Sequence, residues 1–287
     1  AKRLNPRYLS MIIPSRWFSG GKGLDDFREE MLNDKRISKI FDFPNSSDCF
    51  PGVEIKGGVC YFLWEKDYSG DCEITNINKN KRNTLKRPLV ENQLNFFIRY
   101  NQSISIIRKV LDFNEKKFDN LVSSRKHFGL DTTFRGKSNQ TKNDLKIFHN
   151  GGFGYVNENK ILNGKQDIGK YKIFITMAYG AGESYPHQII NKPFYGEPNS
   201  VCTETYLQIG PFKSKKICEN VISYIQTKLF RFLVLMIKNT QHATKSVYRL
   251  VPIQDFETKW DDKALYKKYG LTQNEIKFID EMIRPMS

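Results

Sequence analysis

Phe50 stands before Pro51-Gly52, in a turn between two apolar stretches, 37–43 and 58–64, whose β-branched and aromatic residues read as strands. An aromatic ring presented at such a turn can hold a flat base drawn out of a nucleic-acid stack, as chemistry on an exocyclic amine requires. The same ring also suits an ordinary turn aromatic folded onto the sheet. Asp42, Glu54 and Lys56 compete for this segment. An Asp near a strand end followed by Glu-x-Lys is a nuclease-like set, in which two carboxylates hold Mg²⁺ and the lysine steadies the attacking water or a phosphate. Glu-x-Lys triplets are common by chance, however, and a Pro-Gly turn stands where the second strand of that arrangement should begin.

A second group lies far downstream. Gln241, His242, Thr244, Lys245, Tyr248 and Arg249 gather side chains that read base edges or meet phosphates: Gln pairs with adenine, Lys and Arg with guanine and phosphate. Lys126, Arg135 beside Gly136, and Lys137 open the same basic region, and Tyr179 begins a strand-end loop, Tyr179-Gly180-Ala181-Gly182-Glu183. Each of these also suits a polar surface turn or connector. Neither that loop nor Ser19-Gly20-Gly21-Lys22-Gly23 has the spacing of a nucleotide-binding glycine loop. The former is expected to face DNA and the latter to be a mobile cleft loop. The stretch 76–87 (NINKNKRNTLKR) is basic without interleaved aromatics, so a solvated loop and a phosphate contact both remain open.

Elements that must position these groups follow from periodicity. Residues 8–14 form an apolar run closed by Pro14, which predicts a strand buried on both faces. Residues 23–33 carry Asp25 and Asp26 in the first helical turn and an apolar stripe of Leu24, Phe27, Met31 and Leu32. Open sheets of this kind bind ligands beyond the carboxyl ends of their strands. Residues 76–88 read as a linker, and 89–122 as helical through Leu94, Phe97, Ile98, Ile104, Ile107, Val110 and Leu111. Short strands with Gly and Asn turns follow: 148–155, a hairpin at Asn163-Gly164, 171–178 and 206–209. One long helix is expected over 214–238, buried through Ile217, Val221, Ile225, Phe232 and Met236, then a strand over 248–253. A last helix starts at Thr272 with Glu275 completing a capping box.

Composition narrows the function classes. The net charge is +15 over 287 residues, with pI about 9.5. Residues 1–75 carry 11 Lys and Arg against 12 Asp and Glu, and the remainder 35 against 19, so all of the excess positive charge lies after residue 75. That asymmetry is the footprint of a polyanion-binding module, although a general Lys and Asn bias would also account for it. The five cysteines form no Cys-x-x-Cys pair and the four histidines are scattered, so no metal site and reduced thiols are expected. The longest apolar run, 229–237, is too short for a membrane span and contains Arg231. A soluble, cytoplasmic protein is expected. The chain begins at Ala1, which reads as part of a longer polypeptide.

The order strand (YLSMIIPSRWF), helix (LDDFREEML), strand (ISKIFDFP) and strand after a Phe-Pro turn (DCFPGVEIKGGVCYFLW) resembles the last third of the catalytic domain of adenine-specific DNA methyltransferases. The resemblance is to the Type II, IIG-like enzymes of restriction–modification systems. FRGK, YKIFITMAYGAGE, TETYLQIGPF and NTQHATKSVYRLVPIQDF resemble the recognition domains of that family. The resemblance implies that 8–14, 37–43 and 58–64 are the fifth, sixth and seventh strands, the last two antiparallel. It implies that Phe50 and Pro51 line the target-base pocket, that S-adenosylmethionine is the methyl donor of the intact enzyme, and that double-stranded DNA is the partner. The family's cofactor loop and Asn-Pro-Pro-aromatic motif have no counterpart here; Asn5-Pro6-Arg7-Tyr8 abuts the fifth strand too closely to serve. No catalytic residue is therefore expected in this chain, and the fragment alone is expected to be inactive.

The expected fold class is α/β: a truncated, Rossmann-like methyltransferase sheet followed by a mixed α+β target-recognition domain. The expected organisation is the catalytic-domain portion over 1–75, a linker and helical connector over 76–122, target recognition over 123–255 and a helical tail over 256–287. Two alternatives stay open: the Mg²⁺-dependent nuclease, and a non-catalytic specificity or scaffold subunit assembled through the long helix.

Overall fold

The computed structural model describes residues 1–18, 23–91, 94–180, 185–238 and 240–286. It is a mixed α/β chain of two compact units, residues 1–106 and 107–287. The Ser19–Lys22 part of the first glycine loop and residues 181–184 of the second lie outside the described residues.

The first unit is built on five strands: β1 (Tyr8–Pro14), β2 (Ile37–Phe43), β3 (Val59–Glu65), β4 (Cys72–Asn78) and β5 (Lys81–Arg87), with α1 (Asp25–Asn33) between β1 and β2. Their order is β1-β3-β2-β4-β5. β3 is antiparallel to both neighbours, with Pro14 and Phe43 each opposite Val59, and β4 runs parallel to β2. β1, β2 and β4 therefore all point their carboxyl ends to one side. Alternation along the strands sends Ile40, Phe62 and Ile74 into a core with Trp17, Phe18, Met31 and Trp64. Phe43, Val59 and Ile77 form a smaller cluster with Phe41, Tyr61, Cys49 and Ile55.

Three expectations for this unit are corrected. β1 is not buried on both faces: it pairs only with β3 among the described strands, and Tyr8, Met11 and Ile12 are exposed. Segment 76–87 is not a loop but the end of β4 and all of β5, joined by a two-residue turn in which Lys79 has φ 51°. β5 gave no periodic signal because, apart from Arg87, its side chains face solvent. The described residues of 89–103 are not α-helical, and Phe96, Phe97 and Ile98 are buried in succession, as a chain packed on both sides requires; of the expected helix over 89–122 only α2 (Ile104–Leu111) forms, followed by a 3₁₀ turn at Phe118–Leu121.

The second unit holds two three-stranded sheets. One joins β6 (Asp144–His149), β7 (Gly152–Asn157) and β10 (Ser200–Cys202); the other joins β8 (Tyr171–Thr176), β9 (Phe194–Gly196) and β11 (Tyr206–Phe212). Helices α3 (Lys215–Gln226), α4 (Lys228–Leu235), α5 (Asp262–Lys268) and α6 (Gln273–Met282) follow. The capping box at Thr272 and Glu275 is formed as expected.

Asn163-Gly164 is no hairpin: Gly164, at φ 66°, leads into a 3₁₀ turn. Residues 248–253 are likewise not a strand. A 3₁₀ turn ends at Tyr248, and Pro252 makes one isolated bridge to Lys117. The long helix over 214–238 is broken at Thr227, whose hydroxyl accepts from Phe230 N (3.3 Å). Asp262 accepts from Lys228 N and Leu229 N at 2.9 and 3.0 Å. The buried Arg231 donates to the Gln226 and Thr227 carbonyls, both at 3.2 Å, groups that the break releases. Capping from outside the segment thus overrides a continuous apolar stripe.

Asp34, at the junction of α1 and β2, ties the amino end of β2 to Trp64 near the end of β3. Burial alone would raise its pKa. Its bonds to Arg36 (2.7 and 3.0 Å), Lys2 (2.9 Å) and the Trp64 indole (2.9 Å) outweigh this and hold the carboxyl well below the usual carboxylate range. A carboxylate whose folded pKa is depressed adds stability above its unfolded pKa of about 4, and this is lost as pH falls through the window toward the folded value. The urea midpoint of the wild type should therefore exceed that of Asp34→Asn by a constant margin above about pH 5, a margin that shrinks below about pH 4. A margin independent of pH would contradict the assignment.

Candidate functional site at the carboxyl end of the first sheet

Asp42, one residue from the end of β2, is fully buried. Its carboxylate takes a bidentate pair from Arg99, Nε and Nη2 both at 2.7 Å. Ser15 Oγ, just after β1, donates to the same carboxylate at 3.1 Å, and Asn76 Nδ2, in β4, at 3.4 Å. Asn76 also donates to the Arg99 carbonyl (2.9 Å), and its side-chain oxygen accepts from Asn101 N (2.8 Å). Asn101 Nδ2 then donates to the Ile74 and Asn83 carbonyls, and its Oδ1 accepts from Arg87 Nε. Gly58, before β3, completes the cluster: its φ is +76°, and a Cβ there would overlap the Phe43 carbonyl and lie 2.8 Å from Arg99 Nη2. One charge pair thereby ties the ends of β1, β2 and β4 and the start of β3 to segment 99–101.

The excursion 44–58 leaves and re-enters the sheet at this knot. Ser46 organises it internally. Its hydroxyl donates to the Val53 carbonyl and accepts from Ile55 N, both at 2.8 Å, while its carbonyl accepts from Phe50 N at 2.8 Å. Phe50 is 39% exposed at the crest, next to the exposed Pro51. Asp48 Oδ2 accepts from Lys79 N at 2.8 Å, fastening the β4–β5 turn beside it. The arrangement presents an aromatic face on a cross-braced turn at the carboxyl end of the parallel strands, where open sheets take their ligands.

The Mg²⁺ reading of Asp42, Glu54 and Lys56 does not survive this geometry. The oxygens of Asp42 are taken by Arg99, Ser15 and Asn76, whereas Glu54 and Lys56 are exposed on the turn. No group of three or more potential metal ligands occurs among the described residues.

In the second unit the downstream group partly converges. Residues 177–179 and 241–243 run antiparallel: Ala243 N donates to the Met177 carbonyl (2.7 Å) and Tyr179 N to the Gln241 carbonyl (2.8 Å). Tyr179 thus lies beside Gln241 and His242, and the Tyr179 hydroxyl accepts from Arg284 at 3.2 Å. Gln241, His242 and Lys245 are exposed; Thr244 and Arg249 are half-buried. Tyr248 must be corrected. It is fully buried in an aromatic cluster with Phe118 and Phe230, so its ring serves the core and cannot meet DNA.

Lys126, Arg135 and Lys137 each bond to a local partner, and no contact joins them among the described residues. Lys126 pairs with Asp131 and Lys137 with Asp144 (3.2 Å), while Arg135 donates to the Thr132 carbonyl (2.6 Å). Sequence reasoning missed Arg99 and Asn101, which carry no signal beyond being polar residues in an apolar stretch.

Removing one partner of a buried pair leaves an uncompensated charge. Arg99→Met should therefore cost the first unit about 3–5 kcal/mol, seen as a lower urea midpoint of Trp17 and Trp64 fluorescence in a Trp260→Phe background. The Asp42→Leu, Arg99→Met double variant should lose less than the sum of its single changes. A loss below about 1 kcal/mol for Arg99→Met would show that the pair does not hold the knot.

Comparison with known proteins places this sheet end in context. Residues 1–50 match the Eco57I restriction-modification methylase family. A curated relative, an uncharacterized adenine-specific methylase of Mycoplasma pneumoniae (strain ATCC 29342 / M129 / Subtype 1), is 40% identical over 91 residues, covering 28% of this chain and 22% of the relative. The chain thus spans about a fifth of that relative's length. The type IIG restriction endonuclease BpuSI aligns over 96% of this chain and 47% of its own, at 11% identity and a TM-score of 0.34. The type IIL restriction-modification enzyme MmeI, solved in complex with DNA, aligns over 84% and 37%, at 10% identity and a TM-score of 0.42. Likenesses that distant carry no functional argument. Over its first 50 residues the chain is thus similar to the Eco57I restriction-modification methylases, and over a 91-residue stretch to an adenine-specific methylase.

Proposed function

We propose that this chain supplies one wall of the target-adenine pocket, together with the DNA target-recognition part, of a restriction–modification adenine methyltransferase. The observation that carries the reading is the Phe50 turn, clamped by Asp42 and Arg99 at the carboxyl end of β1, β2 and β4. A rigid, partly exposed ring there suits an adenine turned out of the duplex, whose faces need an apolar partner once its neighbours are lost.

The family match over residues 1–50, which includes Phe50, supports the assignment. So does the antiparallel pairing of β2 with β3, which the methyltransferase resemblance requires. Met11 and Ile12 on the outer strand β1 stay exposed, an apolar edge that further strands of a Rossmann-like sheet would cover. In this reading the rest of that sheet belongs to an upstream portion of the same polypeptide.

S-adenosylmethionine would supply the electrophilic methyl group in the intact enzyme. No residue of this chain is assigned to the donor; its own contribution is to hold the base and dock the DNA. Tyr179, Gln241, His242, Thr244 and Lys245 make one candidate contact surface, and Lys126, Arg135 and Lys137 are further candidate contacts.

Against the scaffold alternative, Val221, Ile225, Leu229, Phe230, Phe232, Leu233 and Val234 of α3 and α4 are buried, with Ile217 and Ile222 half-buried.

Random-sequence duplex should bind with an affinity that falls steeply with salt, log K losing about 0.9 per log[salt] for each phosphate neutralised. Lys245→Ala should lower that slope by about 1. Failure to bind DNA even at low salt would overturn the reading.

A further inference from the structure

The β4–β5 hairpin carries charge that the first unit does not use. Residues 76–88 contain Lys79, Lys81, Arg82, Lys86 and Arg87 and no acidic residue. Arg87 is buried and committed, donating to Asn101 Oδ1 and the Ile98 carbonyl. Lys79, Lys81, Arg82 and Lys86 are exposed, and none joins an ion pair or a side-chain hydrogen bond among the described residues. β5 is also an outer strand of its sheet among the described strands.

Two features aim this charge at the Phe50 turn. Asp48, two residues before Phe50, accepts from the backbone N–H of Lys79 at the hairpin tip. Arg82 lies opposite Ile77, whose side chain belongs to the cluster containing Cys49 and Ile55, which flank Phe50. Since paired residues point to the same face, Arg82 stands on the face that bears the turn. A basic ribbon fastened beside an exposed aromatic is complementary to a polyanion whose bases are presented to that aromatic.

We infer that the β4–β5 hairpin is a phosphate-binding arm for the DNA backbone flanking the base at Phe50, with Asp48 as the residue that positions its tip. The inference rests on the DNA reading of the Phe50 turn and deepens it by giving that turn its own phosphate contacts. Arg82 and Lys86, on the face of the turn, and Lys79 at the tip take the phosphate oxygens as charge-assisted donors, with Lys81 adding positive charge from the opposite face. A flipped nucleotide requires such a hold, because extrusion costs stacking and pairing energy that contacts to the flanking backbone must offset.

The test uses the full chain and a random-sequence duplex across a salt series. The variant Lys79→Gln, Lys81→Gln, Arg82→Gln, Lys86→Gln changes only exposed side chains, and an unaltered urea midpoint would establish that it folds. Its slope of log K against log[salt] should fall by about 2–4. Asp48→Ala removes a negative charge, which by charge alone strengthens DNA binding; with the tip released, binding should instead weaken several-fold. An unchanged slope in a variant chain that still binds, or tighter binding by Asp48→Ala, would overturn the inference and leave the DNA reading standing. A wild-type chain that does not bind DNA would overturn both.

Discussion

The first unit depends on one buried charge pair. Asp42 without Arg99 would be a carboxylate in an apolar sheet, an arrangement that proteins avoid by supplying a partner and filling the remaining lone pairs. Arg99 supplies two bonds, Ser15 and Asn76 supply others, and the cost of desolvating both charges is offset by a network spanning four strands. Such a pair adds little net stability over an apolar substitute. The observed register of β1, β2, β3 and β4 brings Asp42, Asn76 and Gly58 together around Arg99, which places the strand ends precisely. The Phe50 turn inherits that precision, since both of its ends enter at the knot.

A different constraint shapes the second unit. Phe118 packs against Phe230, Tyr224, Tyr248 and Phe256, with ring centroids 5.0–6.4 Å apart. The Tyr224 hydroxyl is bonded to the Pro252 carbonyl at 2.7 Å. This cluster draws segment 245–256 inward, which is why Tyr248 serves the core while Gln241, His242 and Lys245, a few residues earlier, remain at the surface. The break at Thr227 turns α4 into the same core. The polar surface of this unit is thus set by where the aromatic residues must go.

How much was legible in the sequence follows the same division. Apolar runs and capping chemistry were readable: β2, β3, α1, the strands at 171 and 206 and the Thr272 capping box lie where composition and spacing put them. The Phe-Pro turn was readable as a feature, and its place at the sheet end follows from the strands on either side. β5 was not, because an outer strand with solvent-facing Lys, Arg, Asn and Thr has the composition of a loop. Arg99 and Asn101 were invisible, since their role comes from partners at Asp42, Asn76 and Arg87, well separated in sequence. Tyr248 was misassigned because a polar neighbourhood in sequence does not reveal which hydroxyl-bearing ring faces inward. Each miss is a case in which tertiary contacts decide what local pattern leaves open.

The central claim, that Phe50 holds an adenine for methylation, is tested most directly in DNA itself. Genomic DNA from a host expressing the whole polypeptide that contains this chain would be sequenced by a method that detects N6-methyladenine at every position, whatever the motif. The account predicts methylated adenine within one recurrent motif. In Phe50→Ala, methylation should be reduced in line with the loss of one base–aromatic stack, about 1–3 kcal/mol, with the same motif retained. Full methylation by Phe50→Ala under limiting expression, or no adenine methylation by the wild type, would contradict it.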